Sequence, residues 1–229
     1  MNATHVWFAL LTAVSTSCVP TDSGNPPAAL DGSRLSGVVT IGVSENMITL
    51  RGAPSSVSPA GATVHALNLD STAEVSSVVS AGDGSFDELV LLGTPSDRIR
   101  VWSGNVDAPS TPVDARVGEE GLTIPNEHLP ACLVVQPNAH LRMIPGADGV
   151  VTLTNACDGV IELSGVRLRD PAGPYALVGV APTQIALGAS VDVPVRAASV
   201  DALPVDALVI ESSAPEVGWA AITLLPAAP

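Results

Sequence analysis

Ile161-Glu162-Leu163-Ser164-Gly165-Val166-Arg167-Leu168-Arg169 is the stretch that decides the fold. Ile161 and Leu163, then Val166 and Leu168 against Arg167 and Arg169, recur with a period of two, which is the period of a strand with one face in a core. The same pattern extends in both directions. Downstream stand Val191, Val193 and Val195 against Asp192 and Arg196, then Leu208 with Ile210, and Ile222 with Leu224. Upstream stand Val151 with Leu153, Leu141 with Met143, and Leu133 with Val135. That makes about seven strands from Cys132 to the end, the number one sandwich of about 100 residues needs. An earlier set contains Val39, Ile41 and Val43, then Ile99 and Val101 against Arg98, Arg100 and Trp102. Ala53-Pro54-Ser55-Ser56 and Ala81-Gly82-Asp83-Gly84 punctuate it as turns. Twenty Gly, twenty Pro and a hydrophobic fraction of 46% argue against long helices and for short valine-rich strands.

The fold expected is therefore all-β, with two immunoglobulin-like β-sandwich domains in tandem over 36–118 and 132–229. Between them, 119–131 is rich in Asp, Glu and Pro and reads as a linker. At the other end, the apolar run Val6 to Val14 is far shorter than the roughly 20 residues a membrane-spanning helix requires. With Ser15-Thr16-Ser17 and Cys18 behind it, segment 1–17 resembles a bacterial lipoprotein signal peptide, and Cys18 is then the lipid attachment site. Val19 after the cysteine resembles lipoproteins sorted to the outer membrane. An ordinary signal cut near Ala13 and Ser15, leaving a secreted protein, is the alternative. Residues 18–35, with Thr21 to Pro27 polar and broken by proline, read as a flexible tether.

Cys132 and Cys157 remain as an even pair in an exported chain, and a disulfide is the first reading. Two buried thiols are a second. Zinc would need His128 and His140 beside Cys132 at a spacing that matches no common ligand set. The chain has nine arginines, no lysine and a formal charge of −14. Such a surface repels phosphate backbones, so no nucleic-acid partner is expected. The absence of lysine also removes Schiff-base and Ser-Lys chemistry.

Candidate chemistry is sparse. His65 and His140 fall in strands, and no Gly-x-Ser-x-Gly elbow accompanies them. The pairs Asp87-Glu88 and Glu119-Glu120 alternate across a strand and so cannot form a two-carboxylate site alone. Asp83, Asp87 and Asp97 could meet at one end of the first sandwich as oxygen ligands for calcium, though no Asp-x-Asp-x-Asp-Gly loop is present. Glycan recognition would need aromatic platforms, for which Trp102, Trp219, Tyr175 and Phe86 are the candidates. Trp102, on the polar face with Arg98 and Arg100, is either an exposed contact or packs on the linker or second domain.

Two resemblances cover most of the chain. Gly61-Ala62-Thr63-Val64, Asp83-Gly84-Ser85-Phe86 and Asp97-Arg98-Ile99-Arg100-Val101 make the first segment similar to bacterial Ig-like and carboxypeptidase-regulatory-like (transthyretin-like) domains. Pro137, Val151-Thr152-Leu153-Thr154-Asn155, Ile185, Gly188, Leu208-Val209-Ile210 and Ile222-Thr223-Leu224 make the second similar to abnormal-spindle/hydin-like immunoglobulin domains, relatives of major sperm protein. It departs from them at Asn155-Ala156-Cys157-Asp158-Gly159, where the turn is longer, and at Arg196-Ala197-Ala198, where they carry Phe-x-Pro. The resemblances imply a non-catalytic cell-envelope module with no cofactor, no metal and no catalytic residue, held to the membrane by its lipid and meeting an envelope or surface protein. A calcium- or glycan-dependent adhesin and an extracytoplasmic hydrolase are the other readings.

Overall fold

The computed structural model describes residues 28–42, 46–105, 107–118, 121–123, 132–213 and 218–227. Alternating residues become strands along the whole of it. The first ten are β1 (Ala29–Leu30), β2 (Leu35–Thr40), β3 (Met47–Gly52), β4 (Val57–Ser58), β5 (Thr63–Asn68), β6 (Ser76–Val79), β7 (Phe86–Leu92), β8 (Arg98–Ser103), β9 (Val113–Gly118) and β10 (Gly121–Thr123). The rest are β11 (Leu133–Gln136), β12 (His140–Met143), β13 (Asp148–Asn155), β14 (Ile161–Leu168), β15 (Tyr175–Leu177), β16 (Gln184–Ile185), β17 (Ser190–Ala197), β18 (Asp206–Ser212) and β19 (Trp219–Pro226). Among the described residues one 3-10 turn occurs, Gly32–Arg34, capped by the Asp31 carboxylate on the Ser33 amide.

Four larger sheets result, and shared cores show which ones face each other. The orders β2-β3-β7 and β10-β9-β8-β5-β6 belong to the N-terminal residues; β11-β13-β17-β15 and β12-β19-β18-β14-β16 belong to the C-terminal ones. Ile48, Leu50 and Leu89 from the three-stranded sheet pack with Val64, Ile99 and Val101 from its five-stranded partner. Likewise Val151, Leu153 and Val195 from the four-stranded sheet pack with Leu163, Leu208 and Ile222 from the other five-stranded sheet. Each fully buried side chain of this kind contributes about 1.5–3 kcal/mol over its exposed state.

A third cluster lies between the two five-stranded sheets. Leu67, Leu69 and Trp102 meet Ala207, Val209, Trp219, Ala221 and Leu225, all from the faces turned away from the first two cores. The molecule is thus a stack of four sheets, and the middle two are covered on both faces. This corrects the wet face expected for β8. Arg100 and Trp102 are each 2% exposed, because the surface they point to is another sheet and not solvent.

Local departures have local causes. In β14 the register shifts between Leu163 and Gly165, so an extra residue, Ser164, lets both Ile161/Leu163 and Val166/Leu168 reach the same core. A similar shift in β7 sets Leu50 opposite Leu89 but Gly52 opposite Phe86, with Glu88 at φ 56. Asp87 and Glu88 are consequently both exposed, against the strict alternation expected of adjacent strand residues. Ile41 lies past the end of β2 and is exposed. Short strands β15 and β16, flanked by Pro174 and by Thr183, give too few residues for a period to register.

Two expected boundaries also move. The tether foreseen over 18–35 is structured from Ala28, since Ala29 and Leu30 pair with Ser58 and Val57. The linker foreseen over 119–131 begins as a strand: β10 pairs with β9, and Leu122 packs onto the first core. At the Asp83-Gly84-Ser85-Phe86 turn, Asp83 accepts from the Ser85 amide at 2.9 Å, Gly84 takes φ +77, and Phe86 enters the core at 3% exposure.

Candidate functional site

Polar side chains of unusual burial surround the central apolar cluster, and all of them come from strands β5, β8, β9, β12, β14, β18 and β19 or their connections. The outward position on a strand places Arg98, Arg100 and Trp102 on one face of β8, and Arg167 on the corresponding face of β14. These faces meet. Arg98 sits between the two carboxylates of Asp70 and Glu211, donating to Asp70 from Nε and Nη2 and to Glu211 Oε1 from Nη1 at 2.6 Å. Its guanidinium also lies over the Trp219 ring, 5.4 Å from the centroid. Arg167 completes the ring with a contact to Asp70 at 3.3 Å. Burial pushes the Asp70 carboxyl up, but the hydrogen bonds and charge of Arg98, with the charge of Arg167, outweigh it and hold the group below its ordinary value. Arg98 is raised in return, its burial overcome by Asp70 and Glu211.

Two further pairs are deeper. Arg100 donates to both oxygens of Asp114 at 2.7 Å each, and its Nη1 reaches across to the Ala139 carbonyl at 3.1 Å. Arg169 donates from Nε to Asp206 Oδ1 at 2.8 Å and from Nη1 to the carbonyls of Ser71 and Ala73 at 2.8 and 2.7 Å. Arginine suits both places, because its fork satisfies a carboxylate and a distant carbonyl at once. Each of the two arginines, but neither of their carboxylates, joins residues before Gly118 to residues after Cys132.

The imidazoles are built into the same junction. His65 stacks on Trp102 at 5.2 Å, and His140 meets the same indole edge-on at 6.2 Å. His65 Nε2 faces the Gly104 carbonyl at 2.9 Å, so it carries the proton, and Nδ1 accepts from Ser77 Oγ at 2.7 Å. His140 Nε2 donates to the Ser110 carbonyl at 2.8 Å by the same argument, while its Nδ1 is buried without a partner. Desolvation holds both below the ordinary histidine value; the carbonyl acceptors oppose it only in part. Neither ring has a serine hydroxyl and a carboxylate on its two nitrogens, so the hydrolase arrangement is not assembled at either.

Beside this network a cleft of about 420 Å³ opens between the Thr72–Val75 segment and the Asp170–Pro174 and Pro204–Asp206 segments. Its floor includes the Arg169–Asp206 pair, whose side chains are 5% and 3% exposed. Burial raises the Asp206 carboxyl; Arg169 and the nearby amides of Ala207 and Asp170 oppose this without reversing it.

The remaining candidates are dispersed. Asp97 is engaged by Asn68 Nδ2 and by the Thr94 amide and hydroxyl at 2.7–2.8 Å, Asp83 is committed to its turn, and Asp87 faces solvent. Among the described residues no three His, Cys, Asp or Glu side chains are grouped to hold a metal ion. Phe86, Trp102, Tyr175 and Trp219 are all below 5% exposure, out of reach of a sugar ring. Cys132 and Cys157 are joined by a disulfide with Cα atoms 4.9 Å apart, which takes both out of the zinc and free-thiol readings. Cys18, Glu119-Glu120 and His128 lie outside the described residues. Asn68 and Asp206 carry no sequence signal that marks them as junction residues. Asn68, fully buried, donates to the Leu92 carbonyl and to Asp97 while accepting from the Asp70 amide, which fixes the end of β5 next to the junction.

No family model matches the chain, and no curated protein matches it. A crystal structure of a protein of unknown function from Porphyromonas gingivalis W83 is similar over 89% of this chain and 100% of that one, at 12% identity and a TM-score of 0.34.

Proposed function

We propose that this chain is an exported, lipid-anchored, non-catalytic module of the bacterial cell envelope. In this reading the two sheet pairs are immunoglobulin-like domains, acyl chains on Cys18 hold the protein at the outer membrane, and exposed sheet surfaces meet an envelope or surface protein. The observation that supports it best is the junction. Its arginines, carboxylates and histidines have their hydrogen bonds directed at each other and at backbone carbonyls, which suits a rigid scaffold. The tandem immunoglobulin-like reading is supported by two separate cores, each shared by two sheets.

The test is the intact mass of the protein extracted from its native membrane fraction beside a Cys18→Ser variant. Diacyl- or triacylglyceryl mass on a chain beginning at Cys18, lost in the variant, is the expected result. An unmodified chain beginning upstream of Cys18 would remove the anchor and with it this mechanism.

A further inference from the structure

Two open strand edges, one from each sheet of the C-terminal pair, form the walls of a single groove. On one wall, β14 is paired with β18 from Leu163 to Leu168 but with β16 only at Ile161 and Glu162. The Arg169 amide donates to the Ala207 carbonyl, so alternation turns the main-chain groups of Arg167 and Arg169 toward β18 and those of Val166 and Leu168 away from it. Among the described residues no strand receives them. On the other wall, β15 is the outermost strand of its sheet. The Pro174 carbonyl accepts from the Ala198 amide and the Val178 amide donates to the Pro194 carbonyl, which leaves the main-chain groups of Tyr175 and Leu177 on the open side.

The groove between these edges has a volume of about 560 Å³ and is lined by Val166, Leu168, Pro171, Tyr175, Ala176 and Leu177, together with the two arginines of β14. Val166, Leu168 and Tyr175 belong to the core below, so the floor is continuous with apolar interior. Arg167 and Arg169 are directed instead at the junction, toward Asp70 and Asp206. Val180, in the connection from β15 to β16, is 98% exposed and adds apolar surface along the same edge of the fold. Open edges are commonly blunted by lysine, proline or a bulge, and Val166 to Leu168 carries none of these, the bulge at Ser164 lying before it. A compact apolar ligand would fill the groove and leave the main-chain donors and acceptors unused. An extended peptide satisfies them and buries every second side chain on the apolar floor.

We infer that an extended segment of a partner protein adds to the open edge of β14 in line with β16, its alternate apolar side chains in the groove and basic residues at its ends. The charge of −14 selects the basic flanks, and it opposes a second copy of this chain at the same edge. The inference rests on the reading of the protein as a binding module but not on acylation of Cys18. An acylated chain that ignores a strand peptide keeps the anchor and loses this edge, and an unmodified chain that binds one does the reverse.

The experiment titrates the full chain with acetyl-Lys-Val-Thr-Val-Thr-Leu-Lys-amide while amide hydrogen exchange is followed by NMR. In the free chain the Val166 and Leu168 amides should exchange fast and those of Arg167 and Arg169 slowly; at saturating peptide the first two should slow at least about tenfold. Two N-methylated peptides, one blocked at Val and Leu and the other at Thr, separate strand addition from apolar adsorption. Only every second N–H of an added strand meets β14, so one form should lose binding and the other keep it. Ala176→Lys, an exposed change on the opposite wall, should weaken binding several-fold. The inference is overturned by no saturable binding at millimolar peptide, by equal binding of the two methylated forms, or by an affinity that Ala176→Lys leaves unchanged. Protection of the Val166 and Leu168 amides without peptide also overturns it, and sedimentation then assigns the edge to a second copy if the chain is dimeric or to the chain itself if it is monomeric.

Discussion

Arg100→Met removes the most buried charge of the junction and should lower stability by about 3 kcal/mol, the low end of the 3–5 kcal/mol typical when one member of a buried pair is deleted. The lower end applies because Asp114, the carboxylate left behind, retains 16% side-chain exposure and some hydration, whereas Arg100 itself is 2% exposed. The methionine restores most of the volume, so the loss comes from the stranded Asp114 and from the Ala139 carbonyl, which loses its cross-junction donor at 3.1 Å. With a urea slope of about 2 kcal/mol/M, that is a midpoint shift of about 1.5 M. Trp102 and Trp219 lie in the junction cluster, so tryptophan fluorescence reports the transition. Asp114→Leu alone should cost at least as much, since it strands a fully buried guanidinium, while the double variant should recover most of the loss. If the Arg100→Met midpoint moves by less than a third of the expected shift, or if the two losses simply add, Arg100 and Asp114 do not stabilise the fold as a coupled buried pair.

Other outcomes follow from the same geometry. Cys132→Ser with Cys157→Ser opens a cross-link of sequence separation 25 and should cost about 3.5 kcal/mol by chain entropy; alkylation of both thiols in unreduced, denatured native protein would refute the pairing. Gly84→Ala should cost more than the roughly 1 kcal/mol of a left-handed residue, because its Cβ would stand 2.4 Å from the Val57 carbonyl oxygen at φ +77; an unchanged urea midpoint would contradict this. His65 and His140 have folded pKa values below the ordinary 6.5, so the unfolded chain takes up protons first, and their stabilising contribution, full above that value, is lost as pH falls. The urea midpoint of a His140→Gln variant should therefore fall less between pH 7 and pH 5 than that of the parent. Asp206, raised by burial, acts in the opposite direction in both chains, so equal slopes would show that His140 does not contribute.

Strand period was legible wherever one face meets a core and the other meets water, as in β13 and β17. It misled at β8, where Arg98, Arg100 and Trp102 imitate a solvent face. Period reports only that two faces differ, not what lies against the second. The signal that did exist was in the partner strands. Ala207-Leu208-Val209-Ile210 and Ala220-Ala221-Ile222-Thr223-Leu224-Leu225 are nearly continuous apolar runs, which a sheet with one wet face does not carry. Lysine and glutamate are the common residues of an open face, and β8 has arginine and tryptophan instead, the residue types of an interface. The bulges at Ser164 and at Asp87-Glu88 could not be foreseen, since an inserted residue looks like any other interruption of the period. Asp206 is not legible in the sequence, because a single acid at the start of an apolar run reads as a turn residue until its surroundings are known.

Double coverage of the two middle sheets has a mechanical consequence. With about 10 Å between packed sheets, three successive interfaces hold the outermost layers, β2-β3-β7 and β11-β13-β17-β15, about 30 Å apart. The ion pairs Arg98–Glu211 and Arg167–Asp70, with the Arg100 and Arg169 hydrogen bonds to carbonyls across the central interface, resist both sliding and twisting, so that separation behaves as a fixed length. Two molecules gripping the opposite outer layers would be held at a set spacing and orientation, and a pull on one would be felt by the other without slack. In that sense the protein is a gauge block.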